Sequence, residues 1–249
     1  MVINELHKKF TQLVNKHNLN NKEIEVSARP LSIREAIGET GRDNLPLQRG
    51  HEVLIQAELG GYAGQAFTDN PGDFKGTIKD LLHQDFDDNF NRALLIASIN
   101  AVTCYLGLVD GTVHCKDEDL EKCGEDVAEY ISKNHSQARN IGIIGFQPVI
   151  IENIVNNFGS ESVMVTDLNE DKIGEEYHGV EIWDGSQKTE ELIKNSDLVL
   201  ATGSTVVNDS LDEITAKAKE HKKELLLFGT TIAGPAVLLG LNRICPRSY

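Results

Sequence analysis

The chain has 249 residues, of which 40% are hydrophobic, and a formal net charge of −15. That is enough apolar material for one large core or two modest ones, and nothing in it indicates disorder or a fibre. Phosphate binding needs clustered Lys and Arg, so this acidic balance argues against a nucleic-acid partner and against adhesion to an anionic membrane surface.

The first stretch, MVINELHKKFTQLVNKHN, lacks the apolar run of a signal peptide. Val2, Ile3, Leu6, Phe10, Leu13 and Val14 recur there at helical spacing, which describes an amphipathic helix. No later segment reaches the length of a membrane span. The chain therefore reads as cytoplasmic, with Cys104, Cys115, Cys123 and Cys245 as reduced thiols.

After that helix, Glu23 to Ala28 is strand-like. HEVLIQAELGGYAGQAFTDN reads as a hairpin, because two β-rich runs flank Gly60-Gly61, a pair suited to a tight primed turn. Asn70-Pro71-Gly72-Asp73 marks a turn, and Thr77 to His83 a short helix. Asn89 to Gly107 reads as a longer helix, since Phe90, Ala93, Leu94, Ala97, Ala101 and Cys104 follow the helical repeat, with Asp87 and Asp88 placed to cap it. Asp117 to Asn134 forms a further helix bridging the two halves, with Leu120, Val127 and Ile131 on its apolar side.

From Asn140 strands and helices alternate, the grammar of a parallel sheet covered by helices. Strands are expected at Ile141 to Gly145, Ser162 to Thr166, Val180 to Trp183, Leu198 to Ala201 and Glu224 to Phe228. Helices are expected at Pro148 to Phe158, Lys188 to Asn195, Ser210 to Lys222 and Pro235 to Leu241. The expected order is 3-2-1-4-5, whose switch point lies between the first and fourth strands and would collect ligands at their carboxyl ends.

The loops at that point are Gly145-Phe146-Gln147-Pro148 and Thr202-Gly203-Ser204-Thr205. The first has no G-x-G-x-x-G, and Phe146 and Pro148 occupy space that a dinucleotide pyrophosphate needs, which argues against ordinary NAD binding. Neither G-x-S-x-G nor a P-loop is present. Asp167 ends the second strand, where it either accepts hydrogen bonds from a ribose or polyol or starts a turn with Asn169. Ser210 and Glu213 fit a capping box, which leaves Thr202, Ser204, Thr205 and Asn208 available to a ligand, unless Ser204 or Thr205 caps a short turn. A third loop, with Gly229, Thr230 and Thr231, repeats the pattern of glycines and hydroxyls.

In the first half, Asn100 is an amide in an apolar helix, read either as a buried packing hydrogen bond or as a group reaching a cleft. Glu58, near the hairpin tip, is a candidate acid or base and equally an ordinary surface glutamate. His114 and Cys115 with Cys123 form the local cluster of soft ligands. The C-x7-C spacing lacks the tight pairs of a structural zinc site, and eight helical residues set side chains about 80° apart. Cys245, before Pro246 in the closing CPRSY, is either reactive or buried.

The GG hairpin followed by GQAFT, together with IGIIGF, DLVLATGSTVVNDSLDEI and FGTTIAGP, resembles the putative heavy-metal-chelation family, a domain of unknown function. The most specific part of the resemblance is Thr202, Gly203, Ser204, Thr205 and Asn208, followed by the helix start at Leu211-Asp212. It implies an α/β architecture in which a small α+β domain like the N-terminal part of enolase, residues 1–110, precedes a connecting helix in 111–137. A Rossmann-like domain then occupies 138–249.

It further implies an interdomain cleft formed by the strand-end loops and by Asn100 of the first half. There a small polar or heteroaromatic metabolite, a precursor of a pterin, flavin or siderophore-like chelator, is condensed or hydrolysed. A non-catalytic protein binding a metal chelate and a transferase using S-adenosylmethionine, with Asp167 on its ribose, are the other two readings. The cofactor, the metal and the assembly into a homo-oligomer are left open by the sequence.

Overall fold

A computed structural model describes residues 1–27, 31–39, 41–42, 44–45, 47 and 52–249. It begins with helix α1 (Val2–Lys16), whose Ile3, Leu6, Phe10 and Val14 are buried along one stripe. A four-stranded antiparallel sheet follows, in the order β3-β2-β1-β4. Its strands are β1 (Glu23–Ser27), β2 (Val53–Leu59), β3 (Tyr62–Thr68) and β4 (Phe74–Thr77). The expected ends of two segments, Ala28 and His51, lie outside the described residues. Gly60 and Gly61 form the hairpin turn with φ of 59° and 86°, the left-handed conformation that a primed turn requires at both positions.

Two small elements escaped the sequence reading. Helix α2 (Ile33–Ile37) starts at a capping box in which Ser32 and Glu35 satisfy one another's backbone N–H groups. Strand β4 directly follows the expected turn and takes Thr77, the expected start of the next helix, and α3 (Ile78–Leu81) follows it, capped by Thr77 and Asp80.

Helix α4 (Asn89–Tyr105) is capped by Asp88, whose side chain accepts from the Asn91 N–H at 2.9 Å. Every residue from Ala93 to Thr103 is buried, so this helix is a core element enclosed on all sides. Helix α5 (Glu118–Asn134) then crosses to the second half and packs against α6 (Pro148–Phe158).

The second sheet has the order β11-β10-β9-β5-β6-β8-β7. Its parallel centre comprises β5 (Ile141–Ile144), β6 (Val163–Asp167), β8 (Val180–Asp184), β9 (Leu198–Thr202) and β10 (Glu224–Phe228), in the expected order. Two-residue strands, antiparallel β7 (Glu176–Tyr177) and parallel β11 (Arg243–Ile244), extend its edges. Helices α7 (Gly185–Asn195), α8 (Leu211–Glu220) and α9 (Ala233–Leu239) complete the crossovers.

The central strands bury both faces by simple alternation. Ile141, Ile143, Leu198 and Leu200 point into the core beneath α5 and α6, while Ile144, Val199 and Ala201 join a core that runs through α4 and α1. Apolar packing is therefore continuous between the two sheets.

Gly64 in β3 permits the closest approach in this packing. A Cβ there would collide with the Ala101 nitrogen and the Ala97 carbonyl oxygen of α4. Overpacking of this kind costs about 1–3 kcal/mol. Gly64→Ala is therefore expected to lower the urea unfolding midpoint, with an unchanged slope if the fold is retained.

Candidate functional site

The carboxyl ends of β5, β6, β9 and β10 open onto a cleft of about 740 Å³ whose far wall comes from the four-stranded half. Gly145, Phe146, Asp167, Thr202, Gly203, Ser204, Thr205, Asn208, Gly229 and Thr231 all border it. Across from them stand Glu52, Phe67, Thr68, Asp69 and His114. Thr230 is not among the bordering groups; it is buried, and its hydroxyl has no hydrogen-bond partner.

Asn100 lies outside the cleft. Its Nδ2 donates to the carbonyl oxygens of Gln65 (2.8 Å), Thr230 (3.1 Å) and Thr231 (3.1 Å), and its Oδ1 accepts from the Gly234 N–H at 2.7 Å. The amide ties β3 to the start of α9, with no atom left over for a ligand. Glu58 is also outside, exposed and accepting from Gln56 Nε2 at 2.8 Å. It shares a strand face with Glu52 but lies six residues further on, about 20 Å of extended chain.

The strand-end loops explain much of their own composition. Asp167 accepts from the Phe146 N–H at 2.5 Å and the Asn169 N–H at 2.7 Å, so it both fixes the first loop and starts the turn. Thr202 caps a short 3-10 helix, Gly203–Val206, and Thr205 donates to the Thr202 carbonyl at 2.7 Å. The capping box expected at Ser210 does not form. Ser210 has helical φ and ψ, and its hydroxyl donates instead to Asn208 Oδ1 at 2.7 Å. Asn208 thereby holds the turn into α8.

The group that sequence reasoning missed is Glu52. Removal from water, reinforced by the charges of Asp167 and then Asp69, pushes its carboxyl up from 4.5 to about 7. Burial holds the His114 ring below its ordinary range, hence neutral, with Nδ1 against the Cys115 carbonyl at 2.7 Å. Thr166 at the end of β6 is fully buried, borders the cleft, and has a hydroxyl without a protein partner; Asn44 Oδ1 is in the same condition. Lys172 borders the cleft with its ammonium paired to Glu175 and lying 5.2 Å from the Phe146 ring centre.

A second correction concerns the cysteines. Cys115 precedes α5, so helical spacing does not apply to it, and it belongs to a small apolar core against which Cys123 also packs. These thiols stand apart from the cleft.

With this geometry in view, the comparisons with known proteins can be read. The family model described as putative heavy-metal chelation matches residues 127–241. That stretch, under half of the chain, is similar to the family's domain. A solved protein of unknown function from the same family, from Pyrococcus horikoshii, is similar at 16% identity and a TM-score of 0.57, over 93% of this chain and 80% of that one. Another family member of unknown function, from Desulfitobacterium hafniense, is similar at 11% identity and a TM-score of 0.49, over 76% and 72% of the two chains. No curated protein matches. The likeness to the Pyrococcus protein shows the fold alone, and among the described residues no helix is long and apolar enough to cross a membrane.

Two outcomes follow from the site. Removing the Asn100 amide leaves buried backbone groups unpaired, at about 1–3 kcal/mol each. Asn100→Ala should therefore lower the melting temperature of the ligand-free protein, read by circular dichroism. For Glu52, the folded-state value exceeds the ordinary one, so its stabilising contribution is complete below about pH 4.5 and is lost as pH rises through about 7. Glu52→Gln is expected to flatten the melting temperature across that window and to exceed the unmodified protein above pH 7.

Proposed function

We propose that this cleft takes a small, flat, nitrogen-rich metabolite, a pterin-like, flavin-like or siderophore-like precursor, and that Glu52 moves a proton during its condensation or hydrolysis. The observation that carries the reading is a carboxyl titrating near neutrality in a large cleft, facing Asp167 and Asp69. Heteroaromatic N–H groups match the lone pairs left over on Thr166 and Asn44. Ser204, half-buried at the rim, and the backbone of the Thr202 and Gly229 loops supply further polar contacts.

In this reading residues 1–110 are an enolase N-terminal-like domain, 111–137 a connecting helix and 138–249 a Rossmann-like domain. The ligand sits between the two domains of a cytoplasmic enzyme. Heavy-metal chelation, the role in the family description, then enters through the chelator that the metabolite becomes.

A second reading, storage or transport of a metal chelate without turnover, is favoured by the excess of carboxylates bordering the cleft: Glu52, Asp69, Asp167, Glu170, Asp171 and Glu213. The transferase reading is weakened by Asp167, because both its oxygens are already engaged by backbone N–H groups.

A thermal-shift panel with a reduced pterin, an iron(III) citrate complex and S-adenosylmethionine tests this. Ligand at 100 times its dissociation constant stabilises by about 2.7 kcal/mol. The pterin is expected to give such a shift, and Glu52→Gln and Thr166→Val to diminish it. Thr166→Val keeps side-chain shape and leaves the ligand-free protein folded. Pterin shifts unchanged in both variants would remove the cleft from consideration, and a shift with the iron complex alone would favour the second reading.

A further inference from the structure

The cleft is where the acidic charge of this molecule goes unmatched. On the surface elsewhere, many carboxylates have a basic neighbour: Glu118 pairs with Lys122, Glu129 with Lys133, Glu191 with Lys188 and Asp126 with Arg247. At the cleft, Glu52, Asp69, Asp167, Glu170 and Glu213 have no Lys, Arg or His in ion-pair contact among the described residues. Among those residues Lys172 is the one Lys or Arg on its border. Its side chain is enclosed, at 6% exposure, with the ammonium paired to Glu175 and 5.2 Å from the Phe146 ring centre. That charge is already answered within the protein.

A cavity with low-dielectric walls focuses an unbalanced field of this kind on whatever enters it. The uncharged groups of the lining ask for the same kind of partner. Thr166, fully buried at the end of β6, borders the cavity with a hydroxyl that no protein atom engages, and Asn44 adds an unpartnered amide oxygen. With oxygens in such excess, the complement is a group rich in N–H donors that also brings positive charge. An ammonium has three donors and no acceptor.

The carboxylates are spaced for an organic cation rather than a bare ion. Among the described residues, the group of three His, Cys or carboxylate side chains whose ligand atoms come within 4.8 Å of one another is Glu190, Glu220 and His221, and it does not border the cleft. Glu170 stands on the loop after β6, Glu213 in the first turn of α8 and Asp69 just after β3. All three are exposed, so the charge is spread along the rim over separate elements, while Glu52 and Asp167 are half-buried.

We propose that the ligand of this cleft bears an aliphatic ammonium on an arm lying along Glu170, Glu213 and Asp69, so that the substrate class is an amine rather than an acid. The inference rests on the reading of the cleft as a site for a flat ring, and it adds the charge of the part beyond the ring. A single exposed ion pair changes affinity by up to about fivefold, so two or three together are expected to give about tenfold or more.

Three probes with one ring test the charge: pterins carrying a methyl, an aminomethyl or a carboxylate group at the same ring position, titrated into the full chain by calorimetry. Spermidine serves as a cation without a ring. The aminomethyl probe is expected to bind about tenfold tighter than the methyl probe, and the carboxylate probe more weakly than either, with the gaps closing in added salt. Glu170→Gln together with Glu213→Gln should remove most of the aminomethyl advantage. Glu118→Gln together with Glu129→Gln, both exposed on α5, changes the net charge equally and should preserve that advantage. Equal affinities for the methyl and aminomethyl probes overturn the inference and leave the ring site standing. Tightest binding of the carboxylate probe overturns it in favour of an anion site at Lys172. Binding of spermidine alone, weakened by the Glu170 and Glu213 changes, supports the inference and overturns the ring instead, and binding of none of the four probes overturns both.

Discussion

The arrangement of the molecule depends on one amide. α4, buried from Ala93 to Thr103, runs between the two halves, and its Asn100 side chain binds backbone groups of both. A single side chain there answers β3 and the loop from β10 into α9 at once, and Gly64 lets β3 approach closely enough for it to do so. Thr231 adds a second tie, accepting from the Phe67 N–H at 3.2 Å. These bonds fix how far the far wall of the cleft stands from the strand ends, so Asn100 shapes the site without touching it. A buried polar group so fully engaged specifies one packing of the two halves, because any slip would leave several backbone groups unpaired at once.

That fixed separation explains the electrostatics. The N-terminal ends of α6, α7 and α8 border the cleft, and their partial positive charge favours carboxylates there. Asp167 is held by a backbone N–H from the first of these loops. Glu52 enters from the opposite wall, where among the described residues it finds no such donor but does face the charges of Asp167 and Asp69. The two carboxyls are driven apart by their surroundings: Asp167 is held by backbone N–H groups, while the Glu52 carboxyl is pushed up to about 7. The difference results from packing two differently built walls against each other.

The second half was legible in the sequence because its strands are short, buried on both faces and punctuated by glycine, so composition and period agreed. Its strand order followed from the handedness of crossovers. In the first half, local pattern was the weaker guide. The same S-x-x-E spacing occurs at Ser32 and at Ser210, yet only Ser32 forms the box, since Asn208 captures the Ser210 hydroxyl first. Glu52, just before β2, and Glu58 near its end lie in the same alternating phase, and what separates them is the neighbouring wall, which includes Asp167, more than 100 positions away. An amide inside an apolar helix marks Asn100 as unusual, but whether it faces a cleft or a backbone depends on Gly234, which the sequence does not bring near it. Period and composition encode elements, and the site is encoded by contacts of long sequence separation.

The hydroxyl-rich loop after β9 shows how far composition can mislead about binding capacity. Thr202 and Thr205 engage in their own short helix, and Ser210 and Asn208 engage each other, so most of that polarity stabilises the turn that carries it. Unused capacity lies instead at Thr166, inside a strand where threonine looks like an ordinary β-branched filler. A buried hydroxyl without a partner is costly unless something completes it. The cleft is therefore best located by its deficits among the described residues: an orphan hydroxyl, an orphan amide oxygen and a carboxyl pushed up to about 7.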